Sequence, residues 1–385
     1  MSNPNPFETL PPEVPRGRGV PYHEEAMSKP LPPQDLAHIL TLAPFESLRD
    51  ANLFITGGTG FFGHWLLESL LHANRELSLN TQATVLTRSI SAFQTKSPHI
   101  AGDPAITLLE GDIRTFPFPP EPHTHILHAA TDSGGQQANS TPEALAESIL
   151  AGTQHVLDFA KATGAKRLLY TSTGAVYGRS TTLLHTPETY LETNNPQLPL
   201  HSYEAAKRAA EDLCLNHPEL NPIIARCFAF VGPHLPLDQH FAIGNFLNAA
   251  IHNTPIHIKG DGTPRRSWLY MADLAIWLWT LLTHGQSSRA YNVGSDDGMT
   301  IAEAAHLVAD TLSSRPESAQ FADVVERPTV RTTIPIQIDG IPNPAAPLNS
   351  YVPDITRATT ELNLTVTIPL PEALRRTAAW HTFHE

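Results

Sequence analysis

From Asn52 onward, short apolar runs alternate with stretches of helical periodicity. Leu53 to Ile55, Ala83 to Leu86, Ile106 to Leu109, Ile126 to Ala130, Arg167 to Tyr170 and Ile223 to Phe228 are near-continuously apolar, as strands are when a sheet is covered on both faces. Helical stretches separate them. The clearest, Glu143 to Thr163, has Thr141-Pro142 at its start and Gly164 at its end, a first-turn proline and a terminating glycine. This alternation predicts an α/β fold, a Rossmann-type doubly wound parallel sheet.

The flanks read differently. Residues 1 to 33 hold nine prolines and few aliphatics, too little apolar surface for a core of their own. Gln34 to Leu42 can form a short amphipathic helix through Leu36, Ile39 and Leu40 before Pro44. The expected layout is a Pro-rich arm over 1–44, a dinucleotide-binding domain with the catalytic residues over 45–233, and a smaller substrate lobe over 234–385 with segments returning to the core. Between His234 and Arg266 the alternation breaks. Asp273 to Leu282, with Trp277 and Trp279, reads as core or subunit packing, and residues 313 to 349, rich in Pro, Ser and Thr, as a surface excursion.

A length of 385 residues allows a sizeable core. With 38 acidic against 25 basic residues the net charge is −13, which disfavours nucleic acid or an anionic membrane as a partner and leaves an anionic substrate to a few local arginines. Cys214 and Cys227 lack metal or redox spacing, which fits a reducing cytoplasm. No run of 18 apolar residues occurs and the N-terminus has no basic-then-apolar leader; the expectation is a cytoplasmic protein. His123, His125 and His128 do not form a metal site on a strand, where the first two face one way and the third the other.

Thr56-Gly-Gly-Thr-Gly-Phe-Phe-Gly63 joins the first apolar run to a helix. Gly57 permits a tight turn, Gly60 lets the backbone approach a pyrophosphate, and Gly63 lets helix and strand pack closely. Phe61 and Phe62 open the helix whose N-terminus faces the ligand oxygens. The spacing is G-x-x-G-x-x-G with no Gly-Lys-Ser/Thr ending, so a nucleoside-triphosphate P-loop is not expected. After the second strand comes Thr87-Arg88-Ser89, where an acidic residue would grip the ribose of NAD. Arg88 there can take a 2′-phosphate, so NAD or NADP is expected, with a lean to NADP. Asp112 and Ile113 follow the third strand at an adenine-binding position. Ala129 and Ala130 end the fourth, where small side chains let the cofactor pass, and Thr131 is next, on the substrate side.

Leu168-Leu169-Tyr170 runs into Thr171-Ser172-Thr173-Gly174-Ala175-Val176-Tyr177-Gly178, placing hydroxyls at the carboxyl end of a central strand, where ligands bind in such sheets. Tyr203 and Lys207 then share a helix face, their Cβ atoms roughly 6 Å apart. A phenol titrates near 10. Moving it about three units toward neutrality takes roughly 4 kcal/mol of differential stabilisation, which an ammonium and a cationic nicotinamide can supply.

These motifs together resemble the extended short-chain dehydrogenase/reductase family, in its sugar-nucleotide epimerase/dehydratase branch, over about residues 50 to 380. The resemblance implies that Tyr203 is the acid/base on a sugar hydroxyl, Thr173 bonds the same oxygen, and Lys207 holds the nicotinamide ribose and lowers the phenol's pKa. It also implies that Arg266, in Gly260-Asp-Gly-Thr-Pro-Arg-Arg-Ser267, grips the diphosphate of the substrate, a nucleoside-diphosphate sugar, and that the enzyme is a homodimer. Tyr291-Asn292-Val293-Gly294 and Val352-Pro353-Asp354 match family segments. Ile149 and Ala229 stand where Asn is usual, Ala206 where Ser is usual, and Gly174-Ala175 where dehydrating members carry Asp-Glu. The reading is an epimerase, with a 4-keto-sugar reductase, a dehydratase and a non-catalytic dinucleotide sensor as rivals.

Overall fold

The computed structural model describes residues 29–130, 141–178, 183–194, 198–199, 202–239, 241–313 and 333–382. Seven parallel strands form the main sheet. They are β1 (Asn52–Thr56), β2 (Gln82–Thr87), β3 (Ile106–Glu110), β4 (His125–His128), β5 (Arg167–Thr173), β6 (Pro222–Cys227) and the strand Arg289–Val293. From one edge the order is Arg289–Val293, β6, β5, β4, β1, β2, β3. The strand order reverses between β1 and β4, which opens a crevice at the carboxyl ends of these strands.

The alternation along β1 shows why both faces are apolar. Leu53 and Ile55 enter a core with Trp65, Leu66 and Leu70 of the Phe61–Leu77 helix and with Trp277 and Trp279 of the Met271–His284 helix. Phe54 enters the opposite core, with Val156 and Phe159 of the Pro142–Thr163 helix and Ala206 and Ala210 of the Tyr203–Leu215 helix. Trp277 and Trp279 are core residues, as expected. The Pro142–Thr163 helix starts where Thr141 accepts a hydrogen bond from the Ala144 amide and ends at Gly164 with φ 74°, a left-handed conformation that glycine adopts without steric cost.

The body also takes in residues before Phe45. Pro33–Leu42 is a helix lying on the Phe61–Leu77 and Met271–His284 helices. Its buried Asp35 accepts hydrogen bonds from the Tyr270 hydroxyl and from Arg376, each at 2.6 Å. Composition pointed to an arm because this segment borrows its partners from the far end of the chain. Residues 1–28 lie outside the described residues.

Two further segments depart from expectation. The stretch His234 to Arg266 contains a helix, Ala242–Ile251, and Ile336–Ile338, inside the expected surface excursion, pairs in parallel with Ile256–Ile258. These belong to the smaller lobe. There Arg265–Arg266 lies between Met299–Thr300 and Ser350–Tyr351. No described helix is long and apolar enough to cross a membrane.

Candidate active site

The glycine turn is shaped from both sides. Gly57 has φ 74°, and a Cβ there would stand 2.5 Å from the Ala129 carbonyl oxygen and 2.7 Å from the Ala130 nitrogen, so Ala129 and Ala130 form the wall behind it. A Cβ on Gly63 would lie 2.1 Å from the Gly58 carbonyl oxygen, and one on Gly58, which the motif did not single out, 2.6 Å from Val85. Gly60 differs. Its Cβ would meet only the Gly57 oxygen, at 3.4 Å, so this glycine faces open space at the start of the helix. The turn thus fits a diphosphate resting on the helix N-terminus. Phe61 and Phe62 contribute backbone there, while the Phe62 ring packs edge-on against Phe230 at 5.1 Å.

At the adenine end, Asp112 is gripped by Arg114, with Nε–Oδ1 at 2.8 Å and Nη2–Oδ2 at 2.7 Å. These bonds hold the carboxyl down at about 2, and Arg88 adds to the effect. Arg88 itself is exposed just past β2. Arg114 was not singled out in the sequence, yet it acts on the Asp112 carboxylate together with Arg88. Ile113 fills the space that a Cβ on Gly152 would enter, at 2.9 Å, so the Gly152-Thr153 pair of the long helix serves packing. His128 sits between Thr56 Oγ1 at 2.8 Å and Thr153 Oγ1 at 3.2 Å, where burial lowers it to about 3 and keeps it neutral. Among the described residues no group of His, Cys, Asp and Glu is placed to hold a metal.

Thr173 ends β5 and caps the turn Gly174–Tyr177, accepting from the Ala175 amide at 3.2 Å. Ser202 caps the next helix through the Ala205 amide, which sets Tyr203 in the first turn and Lys207 one turn on. Tyr203 lies beside Thr173, and burial pushes its phenol up. Lys207 donates to the Thr171 carbonyl at 2.8 Å and lies 4.7 Å from the Tyr170 ring centroid. Burial lowers it to about 8. Lys207 is thus turned to the β5 backbone.

Tyr351 is the residue the sequence reading missed. Its hydroxyl lies 3.2 Å from Thr173 Oγ1, its ring packs on Phe228 at 4.7 Å, and the Arg266 guanidinium lies 5.7 Å from its centroid. Tyr351 is in register with Arg266 across the small sheet, so one strand pair brings the expected diphosphate ligand to the hydroxyl cluster. Arg266 is half-buried, and burial lowers its pKa. The signal for Tyr351 was its place directly before Val352-Pro353-Asp354. Thr131 lies outside the described residues.

A model of the NAD dependent epimerase/dehydratase family matches residues 53–294. UDP-glucuronic acid decarboxylase 1 of Arabidopsis thaliana is 28% identical over 328 residues, covering 84% of this chain and 68% of the relative. Its namesake in Danio rerio is 26% identical over 329 residues, covering 84% and 71%. Among solved structures, UDP-N-acetylglucosamine 4-epimerase from Methanobrevibacter ruminantium M1 superposes with a TM-score of 0.69 at 19% identity, covering 86% of this chain and 98% of that one. DesIV, a dTDP-glucose 4,6-dehydratase from Streptomyces venezuelae solved with NAD bound, gives 0.67 at 21% identity, covering 86% and 97%. The glycine turn, the parallel sheet and the family match agree: this chain is an enzyme of the NAD dependent epimerase/dehydratase family, in the extended short-chain dehydrogenase/reductase branch.

Proposed function

We propose that the enzyme acts on a nucleoside-diphosphate sugar, oxidising a ring hydroxyl to a ketone and returning the hydride to the opposite face, which makes it an epimerase. The observation that carries this reading is the grouping of Thr173, Tyr203 and Lys207 at the end of β5. A bound NAD(P) supplies the hydride acceptor and donor. Tyr203 takes the hydroxyl proton and returns it, Thr173 holds the same oxygen, and Lys207 turns from the Thr171 carbonyl to the nicotinamide ribose. Arg266, half-buried and in no ion pair among the described residues, meets the diphosphate, for which a planar guanidinium is well shaped. Arg88 and Arg114 favour NADP through its 2′-phosphate. The Pro142–Thr163 and Tyr203–Leu215 helices, packed side by side, form half of a four-helix dimer interface.

A second reading comes from the relatives named UDP-glucuronic acid decarboxylases. It opens with the same oxidation. A ketone next to the carboxylate-bearing carbon lets CO2 leave, a proton takes its place, and the hydride returns to the ketone. A reductase would instead start from the ketone and exchange its cofactor at each turnover.

Mass spectrometry of the dinucleotide and sugar nucleotide carried through native purification identifies the ligands. Incubation with UDP-, dTDP-, GDP- and CDP-hexoses and UDP-glucuronate then separates the readings. A product of unchanged mass supports epimerisation, loss of CO2 supports decarboxylation, and reduction of a keto sugar supports the reductase. No turnover on any sugar nucleotide would overturn the proposal.

A further inference from the structure

Behind the glycine turn runs a chain of hydrogen bonds to which the proposed reaction gives no role. Thr56, the last residue of β1, stands opposite His128, the last residue of β4, in the sheet register. Both are buried, as is Thr153 of the Pro142–Thr163 helix. Thr56 Oγ1 accepts a hydrogen bond from the Ala130 amide at 3.1 Å and lies 2.8 Å from His128 Nδ1. On the far side of the ring, Nε2 lies 3.2 Å from Thr153 Oγ1. The chain thus joins β1, β4 and the long helix at the place where the strand order reverses.

The direction of these bonds follows from counting protons. A threonine hydroxyl has one proton to donate. Thr56 Oγ1 already receives the Ala130 N–H, and its other partner among the described residues is His128, so its own proton goes to Nδ1. A neutral imidazole that accepts at Nδ1 carries its proton on Nε2 and donates it to Thr153. The groups facing the ring, besides the two hydroxyls, are Tyr170 of β5, with ring centroids 5.3 Å apart, and the Lys207 ammonium. Burial beside that cation keeps His128 neutral, as this order of donors requires.

The chain acts at the groove. Thr56 leads directly into Gly57, and a Cβ on Gly57 would stand 2.5 Å from the Ala129 carbonyl oxygen and 2.7 Å from the Ala130 nitrogen. One hydroxyl therefore sits at the root of the turn and also holds the wall that faces it. The imidazole fixes that hydroxyl and is itself fixed by the long helix.

We propose that His128 is a positioning residue for the dinucleotide: a one-way relay of hydrogen bonds, from the Ala130 amide through Thr56 and His128 to Thr153, locks the Ala129–Ala130 wall against the Gly57 turn and so sets the groove that takes the cofactor. The inference rests on the cofactor class of the family and not on which sugar nucleotide is turned over, so its test reads dinucleotide binding without substrate.

The full chain, freed of bound dinucleotide, is titrated calorimetrically with NAD and NADP. Thr56→Val, which keeps the shape and removes the hydroxyl, weakens the preferred dinucleotide by about tenfold or more, as expected when buried partners lose a hydrogen bond. Thr56→Ser restores most of that loss. His128→Phe weakens binding too, and because both residues act through one bond, the double variant loses less than the product of the single losses. A fall in Tm with both affinities unchanged marks a merely structural chain and overturns the proposal, as do fully multiplicative losses or a wild type that binds neither dinucleotide. Should Thr56→Val or His128→Phe fail to fold, NMR of the wild type with nitrogen-15 histidine decides, with His128 assigned by the resonance that Thr56→Ser moves. The expected spectrum has His128 bare at Nδ1 and protonated at Nε2, and it shifts when the dinucleotide binds. A proton on Nδ1, or a His128 signal that dinucleotide leaves unmoved, overturns the relay.

Discussion

The hydroxyl of Tyr351 lies 3.2 Å from Thr173 Oγ1, although 178 residues separate the two in sequence. Tyr203 also lies beside this threonine. Two phenols therefore lie near Thr173, of which Tyr203 alone has a lysine one helical turn away. A sugar hydroxyl seeking Thr173 must compete with the Tyr351 bond.

This asymmetry gives a paired prediction. Tyr203→Phe keeps the fold and cofactor binding and lowers turnover by at least about a hundredfold, the low end for general acid-base catalysis. Tyr351→Phe costs one neutral hydrogen bond, about 1 kcal/mol, and lowers turnover by less than about tenfold. Steady-state kinetics of both variants checks the pair, and equal losses would sink the assignment of roles.

Arg88→Asp weakens NADP far more than NAD, because it removes a phosphate partner and adds repulsion. Arg114→Ala weakens NADP in the same direction and frees the Asp112 carboxylate. Isothermal titration with both dinucleotides is the measurement, and a wild type that already prefers NAD strongly would end the argument before either variant is made.

Lys207 links activity to stability. Its pKa is about 8 in the folded protein, lowered by burial from 10.5, so between these pH values the unfolded chain binds the extra proton. Stability of the cofactor-free protein then rises as pH climbs from about 8 to 10.5, and below 8 the buried ammonium costs about 3 kcal/mol. Lys207→Met is accordingly expected to raise Tm at pH 7 while abolishing turnover. Thermal melts at pH 7 and pH 10 test this, since the gain must shrink at the higher pH.

Much of the sheet was legible because each strand carries its own signature. Leu53 and Ile55 face one core and Phe54 the other, and Gly57 and Gly63 are required by backbone within van der Waals reach. The seventh strand, Arg289–Val293, hid because its buried Asn292 serves hydrogen bonds with Tyr177 and Glu188 rather than an apolar core. Tyr351 meets Thr173 and Phe228 through long-range pairing, a contact that the motif around each residue does not record. Ile336–Ile338 was obscured by neighbouring prolines, although it pairs with a distant strand; the helix from Gln34 to Leu42 was legible, but its docking through Asp35 was not.

The last prediction is that the enzyme does not eliminate water from an intact hexose. Loss of water across C5 and C6 needs one group to remove the C5 proton and another to protonate the leaving hydroxyl, both within hydrogen-bond reach. The positions after Thr173 are Gly174 and Ala175, and neither side chain moves a proton. The structure adds a steric reason at the first. A Cβ on Gly174 would stand 2.7 Å from the Phe228 ring, and Phe228 is itself backed by Tyr351, so aromatic rings fill the space an acid would need. Gly174→Asp should therefore lower stability by about 1 to 3 kcal/mol, as overpacking does, without conferring dehydration. Product masses after incubation with UDP-, dTDP-, GDP- and CDP-hexoses decide the question. Catalytic loss of one water from any of them would show that proton carriers reach C5 and C6 from elsewhere in the chain, and the assignment based on Gly174 and Ala175 would fall.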